Sequence, residues 1–277
     1  MVNLNFYPGD IFQVYETAVS KKREAALRQR LVNIAPQVRA CYNNYQHHFN
    51  ANTLPTVVAD AVGVMHRVDL MSLYLYKSHI IRTIKNDIRD AQVHLISDTC
   101  QNCTINSVNS MDHILPISAF PEFGVLPLNL FPCCSECNSK KNNYVAGGGP
   151  GRFLNLYLDQ LPNEQYLFPV ITQEADGTYV ASFTVDNRNN IDPNLFQIIQ
   201  NHYSALDLCH RMRLASVDTV TNVMNQIRIR RANLPVPTIL QEIIDVAHEN
   251  IVHLGRNHFK HLLEISLVQD AGFVASI

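Results

Sequence analysis

The spacing of apolar residues predicts a chain that is mostly helical. From Ile11 to Asp90, apolar side chains recur at steps of three and four residues, which is the period of an amphipathic helix. A polar stretch from Tyr42 to Thr53, rich in Asn and His, interrupts this pattern, and we expect it to be a loop. After Asp90, the apolar residues Val93, Leu95 and Ile96 predict a short strand.

The second half of the chain begins with a glycine-rich stretch. Gly147 to Gly151 predicts a flexible joint, because glycine has little conformational preference and Pro150 stops a helix. Beyond it, Tyr166–Val170 and Thr178–Val185 flank an Ala-Asp-Gly turn, which predicts a β-hairpin. Helical spacing then returns, with breaks near Ser216 and at Pro235 and Pro237, in the segments Leu195–Leu208, Val217–Ile229 and Ile239–Val252, the last continuing towards Val268.

Length and charge limit the class of protein. The chain has 277 residues, and a hydrophobic content of 47% is ample for a buried core. Its net charge is -2, whereas a nucleic-acid binder is typically basic overall, so any contact with DNA must be local. No apolar run approaches the roughly 20 residues of a membrane span, and the N-terminus lacks the pattern of a secretion signal. We therefore expect a cytoplasmic protein without membrane contact.

Basic residues form two local clusters along the sequence. The simplest interpretation of each cluster is the solvated face of a helix. A role in phosphate binding requires that the cluster fold to the same side as a functional site. The first cluster comprises Lys21, Lys22, Arg23, Arg28 and Arg30, and the second comprises Arg211, Arg213, Arg228, Arg230 and Arg231.

Five of the seven cysteines lie between residues 100 and 137. In a reducing cytosol such clustering favours metal ligation over disulfides. Two C-x-x-C pairs, Cys100 with Cys103 and Cys134 with Cys137, can supply four thiolates to a tetrahedral zinc ion. Cys133 is an alternative to Cys134 as a ligand, but the C-x-x-C spacing favours Cys134.

The 30 residues between the two pairs exceed the spacing of a compact zinc ribbon, so their content is informative. The order C-x-x-C, D-H-I-x-P, N-x4-C-x-x-C-N-x-x-K runs from Cys100 to Lys141. It resembles the zinc-bearing branch of the HNH endonucleases, whose ββα-metal motif is a hairpin followed by a helix. The resemblance covers about 42 residues and leaves the rest of the chain unassigned.

The resemblance implies a role for each matching residue. His113 falls at the general base, whose neutral imidazole can take a proton from an attacking water. Asp112 and Asn138 fall at ligand positions for a catalytic Mg²⁺ or Mn²⁺, which prefer oxygen donors. Asn129 corresponds to the residue that ties down the loop and orients the histidine. Lys141, in preference to Lys140, matches the family spacing of a phosphate contact.

Together these expectations define an α+β fold that is predominantly helical. A zinc-stapled ββα-metal core, residues 96–146, is expected between an N-terminal helical region, residues 1–95, and a C-terminal region with one β-hairpin and helices, residues 152–277. Structural Zn²⁺ would hold the shape of the core, and a separate Mg²⁺ or Mn²⁺ would serve catalysis.

The resemblance implies a metal-dependent HNH endonuclease that hydrolyses phosphodiester bonds, expected in double-stranded DNA with little base readout. Similarity to standalone nucleases of bacterial anti-phage systems implies a defence effector with a regulatory ATPase or sensor subunit as partner; a homo-oligomer is left open. The alternatives are a restriction or mobile-element endonuclease, and a non-catalytic zinc-bearing adaptor that binds nucleic acid while its Asp-His pair is silent.

Overall fold

A computed structural model describes residues 1–141 and 153–277. The glycine-rich joint expected at 147–151 lies outside the described residues. The described chain divides into two compact units. The N-terminal unit comprises Asn3–Asn102 and Asn106–Gln160; the C-terminal unit comprises Leu161–Ile277 with the short segments Met1–Val2 and Cys103–Ile105.

The N-terminal unit is built mainly from helices, as the apolar spacing predicts. Side-chain caps fix where several of them begin: the Asp10 carboxylate accepts hydrogen bonds from the first turn of α1, and the Ser78 hydroxyl does the same for α6. The helices are α1 (Ile11–Ser20), α2 (Ala25–Asn33), α3 (Ala35–Asn50), α4 (Ala61–Met65), α5 (Arg67–Met71), α6 (His79–Asp90) and α7 (His94–Ser97).

Two predictions in this region are wrong. The polar stretch expected to be a loop is helical as far as Asn50, because Tyr42, Tyr45 and Phe49 recur at helical spacing and are fully buried. The strand expected at residues 93–96 is the single helical turn α7. Of the three apolar residues Val93, Leu95 and Ile96 only Ile96 is buried, whereas a paired core strand would bury more of them.

The cysteine-rich region folds as a hairpin followed by a helix. Strand β1 (Ser110–His113) pairs antiparallel with β2 (Leu130–Cys133), and His113 lies opposite Leu130. Helix α8 (Ser135–Lys141) follows β2 almost directly. The connection between the strands carries two short 3₁₀ turns, Pro121–Phe123 and Pro127–Asn129; a third, Leu54–Thr56, follows α3.

The C-terminal unit contains the second hairpin, which confirms that prediction. Strands β3 (Leu167–Gln173) and β4 (Tyr179–Val185) pair antiparallel around a turn in which Gly177 has a φ of 86°. Its helices are α9 (Pro193–Ala205), α10 (Leu208–Ala215), α11 (Val217–Arg230), α12 (Val236–Leu254), α13 (Phe259–Gln269) and α14 (Ala271–Ala275).

One expected helix of this unit is two helices. The apolar pattern from Ile239 continues towards Val268, but α12 ends at Leu254. Gly255 has a φ of 90°, a conformation that ends a helix and that favours glycine. The apolar period resumes in α13, which is why the sequence pattern alone did not show the break.

The fold is a predominantly helical α+β arrangement with two small antiparallel hairpins. Within residues 1–141 and 153–277, no helix is long and apolar enough to cross a membrane.

Candidate metal centre and catalytic cleft

Four cysteines form a buried cluster that can hold a metal ion. The sulfur atoms of Cys100, Cys103, Cys134 and Cys137 all lie within 4.8 Å of one another. A tetrahedral zinc ion with Zn–S bonds of about 2.3 Å separates its sulfur ligands by about 3.8 Å. The four thiols therefore fit zinc with only small adjustments, and the cluster contains Cys134 in place of its neighbour Cys133.

Backbone N–H groups surround this cluster in the manner of a metal-binding turn. The Ile105 N–H donates to Cys103 Sγ at 3.4 Å, and the Cys137 N–H donates to Cys134 Sγ at the same distance. Such donors favour the thiolate form that zinc requires. Thr104 adopts a φ of 57°, which costs a residue other than glycine some free energy and is here part of the turn that presents Cys103.

Helix α8 is fixed against one face of β1. Alternate residues of a strand share a face, so Ser110 and Asp112 lie on the same side. Asn138 Nδ2 donates to Ser110 Oγ at 2.8 Å, and Lys141, one turn later, reaches Asp112. The Asn109 side-chain oxygen accepts from the Ser135 N–H at 2.7 Å, at the start of the helix.

Asp112 and Lys141 form a buried ion pair. Lys141 Nζ lies 2.8 Å from Asp112 Oδ2 and donates to the carbonyl oxygen of His113, also at 2.8 Å. The two side chains are only 8% and 7% exposed. Burial raises the pKa of Asp112, and the Lys141 charge opposes that shift. Lys141 therefore lies behind the carboxylate; its expected contact with substrate phosphate stays a prediction.

The imidazole of His113 is held in one tautomer. Nε2 lies 2.9 Å from the Gly124 carbonyl oxygen, which can only accept, so Nε2 carries the hydrogen. In a neutral ring Nδ1 then keeps a lone pair. Burial lowers the pKa of His113 to about 4, so the ring is neutral at physiological pH. The Tyr74 ring packs edge-on against it, with centroids 4.5 Å apart.

Asn129 connects the two ends of the loop that separates the strands. Its Oδ1 accepts from the Leu115 N–H at 2.7 Å and from the Tyr45 hydroxyl at 3.1 Å. Its Nδ2 donates to the carbonyl oxygens of Leu115 and Phe123, at 3.0 and 3.3 Å. Leu115 lies two residues after His113, and Phe123 precedes Gly124, so this fully buried amide braces both sides of the histidine.

Three of the predicted site residues meet at one open cleft. Asp112, His113 and Asn138 line it together with Pro116, Ile117, Ser135 and Ser139. Asn138 uses Nδ2 on Ser110, so that bond does not engage its amide oxygen. A carboxylate oxygen and an amide oxygen are hard donors, the type that Mg²⁺ and Mn²⁺ prefer.

The chain is similar to a phage protein. It is 26% identical over 235 residues to protein ea31 of Escherichia phage lambda, and the match covers 78% of this chain and 77% of that protein. No protein-family model matches the chain, and no solved structure matches it.

Sequence reasoning missed three contributors to this cleft. Ser110 had a signal, since it lies two residues before Asp112 in the strand and so shares its face. Gly124 contributes a backbone carbonyl, which leaves no trace in residue type. Tyr74 belongs to a distant apolar series, and its contact with His113 depends on tertiary structure.

Proposed function

We propose that the chain is a metal-dependent endonuclease of the HNH kind that hydrolyses phosphodiester bonds in DNA. One observation carries the proposal: Asp112, His113 and Asn138 line a single open cleft on a hairpin followed by a helix. The order of these elements is that of the ββα-metal motif. One cysteine pair of the four-cysteine cluster precedes the hairpin, and the other lies where β2 meets α8.

His113 is the proposed general base. Its Nδ1 lone pair can take the proton of a water that attacks phosphorus, while the Gly124 carbonyl keeps the proton on Nε2. Asn129 acts through the loop: by binding Leu115 and Phe123 it keeps both the histidine and its carbonyl partner in position. These contacts pre-organise the base before substrate arrives.

Asp112 and Asn138 would hold the catalytic cation. When bound, a divalent ion supplies positive charge that offsets the charge developing on the phosphoryl and leaving oxygens. Lys141 fixes the orientation of the Asp112 carboxylate through Oδ2, and Asp112 lines the cleft in which the cation would bind. The zinc of the cysteine cluster has a different task, because four thiolates leave no open position for substrate.

Two biological settings are compatible with the proposed nuclease. The resemblance to anti-phage nucleases predicts a defence effector controlled by an ATPase or sensor subunit. Similarity to a protein of phage lambda favours the alternative, a nuclease carried by a phage or another mobile element. Both settings use the same cleft and the same DNA substrate, and a homo-oligomer is compatible with either.

The test is cleavage of supercoiled plasmid with Mg²⁺ or Mn²⁺. Wild type should produce open-circle or linear DNA, and His113→Ala should produce neither while keeping its zinc. The matched control is His79→Ala, because His79 is an exposed imidazole on α6 that does not line the cleft. Cutting by His113→Ala at the wild-type rate would remove the base assignment. A wild type inactive with every divalent ion would instead favour the zinc-bearing adaptor.

A further inference from the structure

The segment that links α5 to α6, residues 72–78, lies along the candidate catalytic strand. We call it the tyrosine strap. The Tyr74 hydroxyl donates to the Met111 carbonyl at 3.4 Å, and the Tyr74 ring contacts His113. The Tyr76 hydroxyl donates to the Asn109 carbonyl. Two tyrosines therefore fasten the strap beside the cleft.

One side of the strap carries a basic groove. Tyr76, Lys77, Arg82 and Lys85 line it together with Ile81. Lys77 and Arg82 are exposed. Lys85 donates one hydrogen bond to the Val108 carbonyl, at 3.2 Å, and an ammonium has three donors. The groove thus combines three cations with an aromatic ring, a combination suited to phosphates and bases.

The other side of the strap meets the first basic cluster. Lys22 Nζ donates to the Ser72 carbonyl, and the Arg28 guanidinium donates to the Lys22 carbonyl at 3.3 Å. Ser72 and Tyr74 are two residues apart, and two residues of chain span at most about 7 Å. Adding the contact of Lys22 with Ser72 and that of Tyr74 with His113 puts the Lys22 ammonium within roughly 20 Å of the His113 ring. A DNA strand presents a phosphate about every 3.4 Å along its axis, so roughly 20 Å corresponds to about six phosphates of one strand.

Charge is concentrated on these two sides. Residues 21–30 hold five cations and one acid, Glu24; residues 77–89 hold four cations and one acid, Asp87. Their net charges are +4 and +3, and the whole chain carries -2, so the remaining residues carry -9. Asp69, on α5, pairs with Arg30 and offsets part of the first group, and Asp90 pairs with Arg89 and offsets part of the second.

The second basic cluster of the sequence lies in the C-terminal unit. Arg211 is buried and donates to the Leu206 carbonyl, Arg230 pairs with Glu242, and Arg231 donates to the Ile277 carbonyl. Arg228 donates to Met224 Sδ at 3.7 Å, so protein acceptors engage four of its five arginines. Arg213 and Arg228 are exposed and provide a charge-matched comparison.

We propose that the tyrosine strap and the cations on both of its sides bind the phosphate backbone of nucleic acid and deliver a phosphodiester to His113. The delivery step rests on the proposed hydrolase function, whereas the binding step does not.

The experiment measures binding separately from cutting. Affinity for a labelled DNA duplex is measured by fluorescence anisotropy in the His113→Ala background at several salt concentrations. Adding Lys77→Gln and Arg82→Gln should weaken binding at least about tenfold at 0.1 M salt and reduce the salt slope by about 2, since each phosphate contact contributes about 0.9. Adding Arg213→Gln and Arg228→Gln, the same change of charge, should leave both quantities unchanged.

Zinc content and the urea midpoint report that each variant is folded. Unchanged affinity in the Lys77/Arg82 variant, or an equal loss in the Arg213/Arg228 variant, overturns the proposal. Binding that depends on Lys77 and Arg82 in a protein that never cuts DNA would support this surface and reject the hydrolase. Cutting by a wild type whose binding ignores these residues would do the reverse.

Discussion

At the residue scale, the buried pair of Asp112 and Lys141 is the least expected feature of the cleft. The family spacing assigned Lys141 to phosphate, but its ammonium lies against the carboxylate and the His113 carbonyl. A buried charge that loses its partner is strongly destabilising. The pair therefore holds α8 on β1 as well as orienting a proposed metal ligand.

This pairing makes a prediction for stability. Lys141→Met should lower the free energy of unfolding by about 3–5 kcal/mol, because it leaves the Asp112 carboxylate buried and unpaired. Combining it with Asp112→Asn should restore part of that loss, so a double-mutant cycle in urea should show a coupling of about 1–3 kcal/mol. The exposed pair of Arg89 and Asp90, with side chains 44% and 68% exposed, is the control and should couple by less than about 1 kcal/mol. Additive effects at Asp112 and Lys141 would contradict the pair.

A second prediction concerns Asn129. Its replacement by Ala removes four hydrogen bonds and leaves the Leu115 N–H and two carbonyl groups without that partner in a buried loop. Because each such group costs about 1–3 kcal/mol, the variant should lose at least about 3 kcal/mol in urea unfolding. Asn189→Ala is the comparison, since exposed Asn189 makes one bond to the Gln165 carbonyl and should cost less than about 1 kcal/mol. Equal costs for the two variants would show that Asn129 does not brace the loop.

Residue identity predicted part of this cleft and could not predict the rest. The spacing of Asp112, Asn129 and Asn138 relative to the cysteines indicated which side chains to examine. The carbonyl of Gly124 and the ring of Tyr74 reach His113 only through tertiary contacts. Such contacts leave no local period in a single sequence, so only the fold reveals them.

At the element scale, the cysteine cluster and the hairpin-helix depend on each other. Cys134 follows β2 directly and Cys137 lies in the first turns of α8, so a metal held there fixes the angle between strand and helix. Metal binding and folding are coupled at sites of this kind. Local spacing was enough to predict the cysteine ligands, because a C-x-x-C pair is short and its ligands are close in sequence. The hairpin and helix were expected only from the resemblance to HNH endonucleases.

The ligand assignment can be tested with neighbouring cysteines. Cys134→Ser should lose zinc on dialysis and unfold at lower urea, because three thiolates bind the ion more weakly than four. Cys133→Ser is matched in chemistry and burial, yet it should keep its zinc, since Cys133 lies outside the four-sulfur cluster. Metal content by mass spectrometry reads the difference. The opposite pattern would make Cys133 the ligand.

The element-scale errors have different causes. Helix α3 was hidden by polar residues on its exposed face, although its buried face decides the structure. The break between α12 and α13 was hidden by an apolar period that continues across Gly255, where the backbone conformation of one glycine ends the helix. The β3–β4 hairpin had no such conflict, because its turn residues and its alternation agree.

At the scale of the whole molecule, the average charge conceals the relevant surface. A net charge of -2 argues against nucleic acid for the chain as a whole. Two segments of the N-terminal unit, residues 21–30 and 77–89, nevertheless carry +7 between them before the ion pairs of Arg30 with Asp69 and of Arg89 with Asp90 are counted. Composition could not show this, because it does not record which segments fold together.

The most direct test of this account is anomalous diffraction from crystals soaked in Mn²⁺, recorded at the zinc and manganese edges. We expect a zinc peak among the sulfurs of Cys100, Cys103, Cys134 and Cys137. We expect a manganese peak in the cleft, about 2.1 Å from oxygens of Asp112 and Asn138 and beside His113. A cleft without manganese in crystals that retain zinc, or manganese bound at other residues, would contradict the proposed catalytic centre.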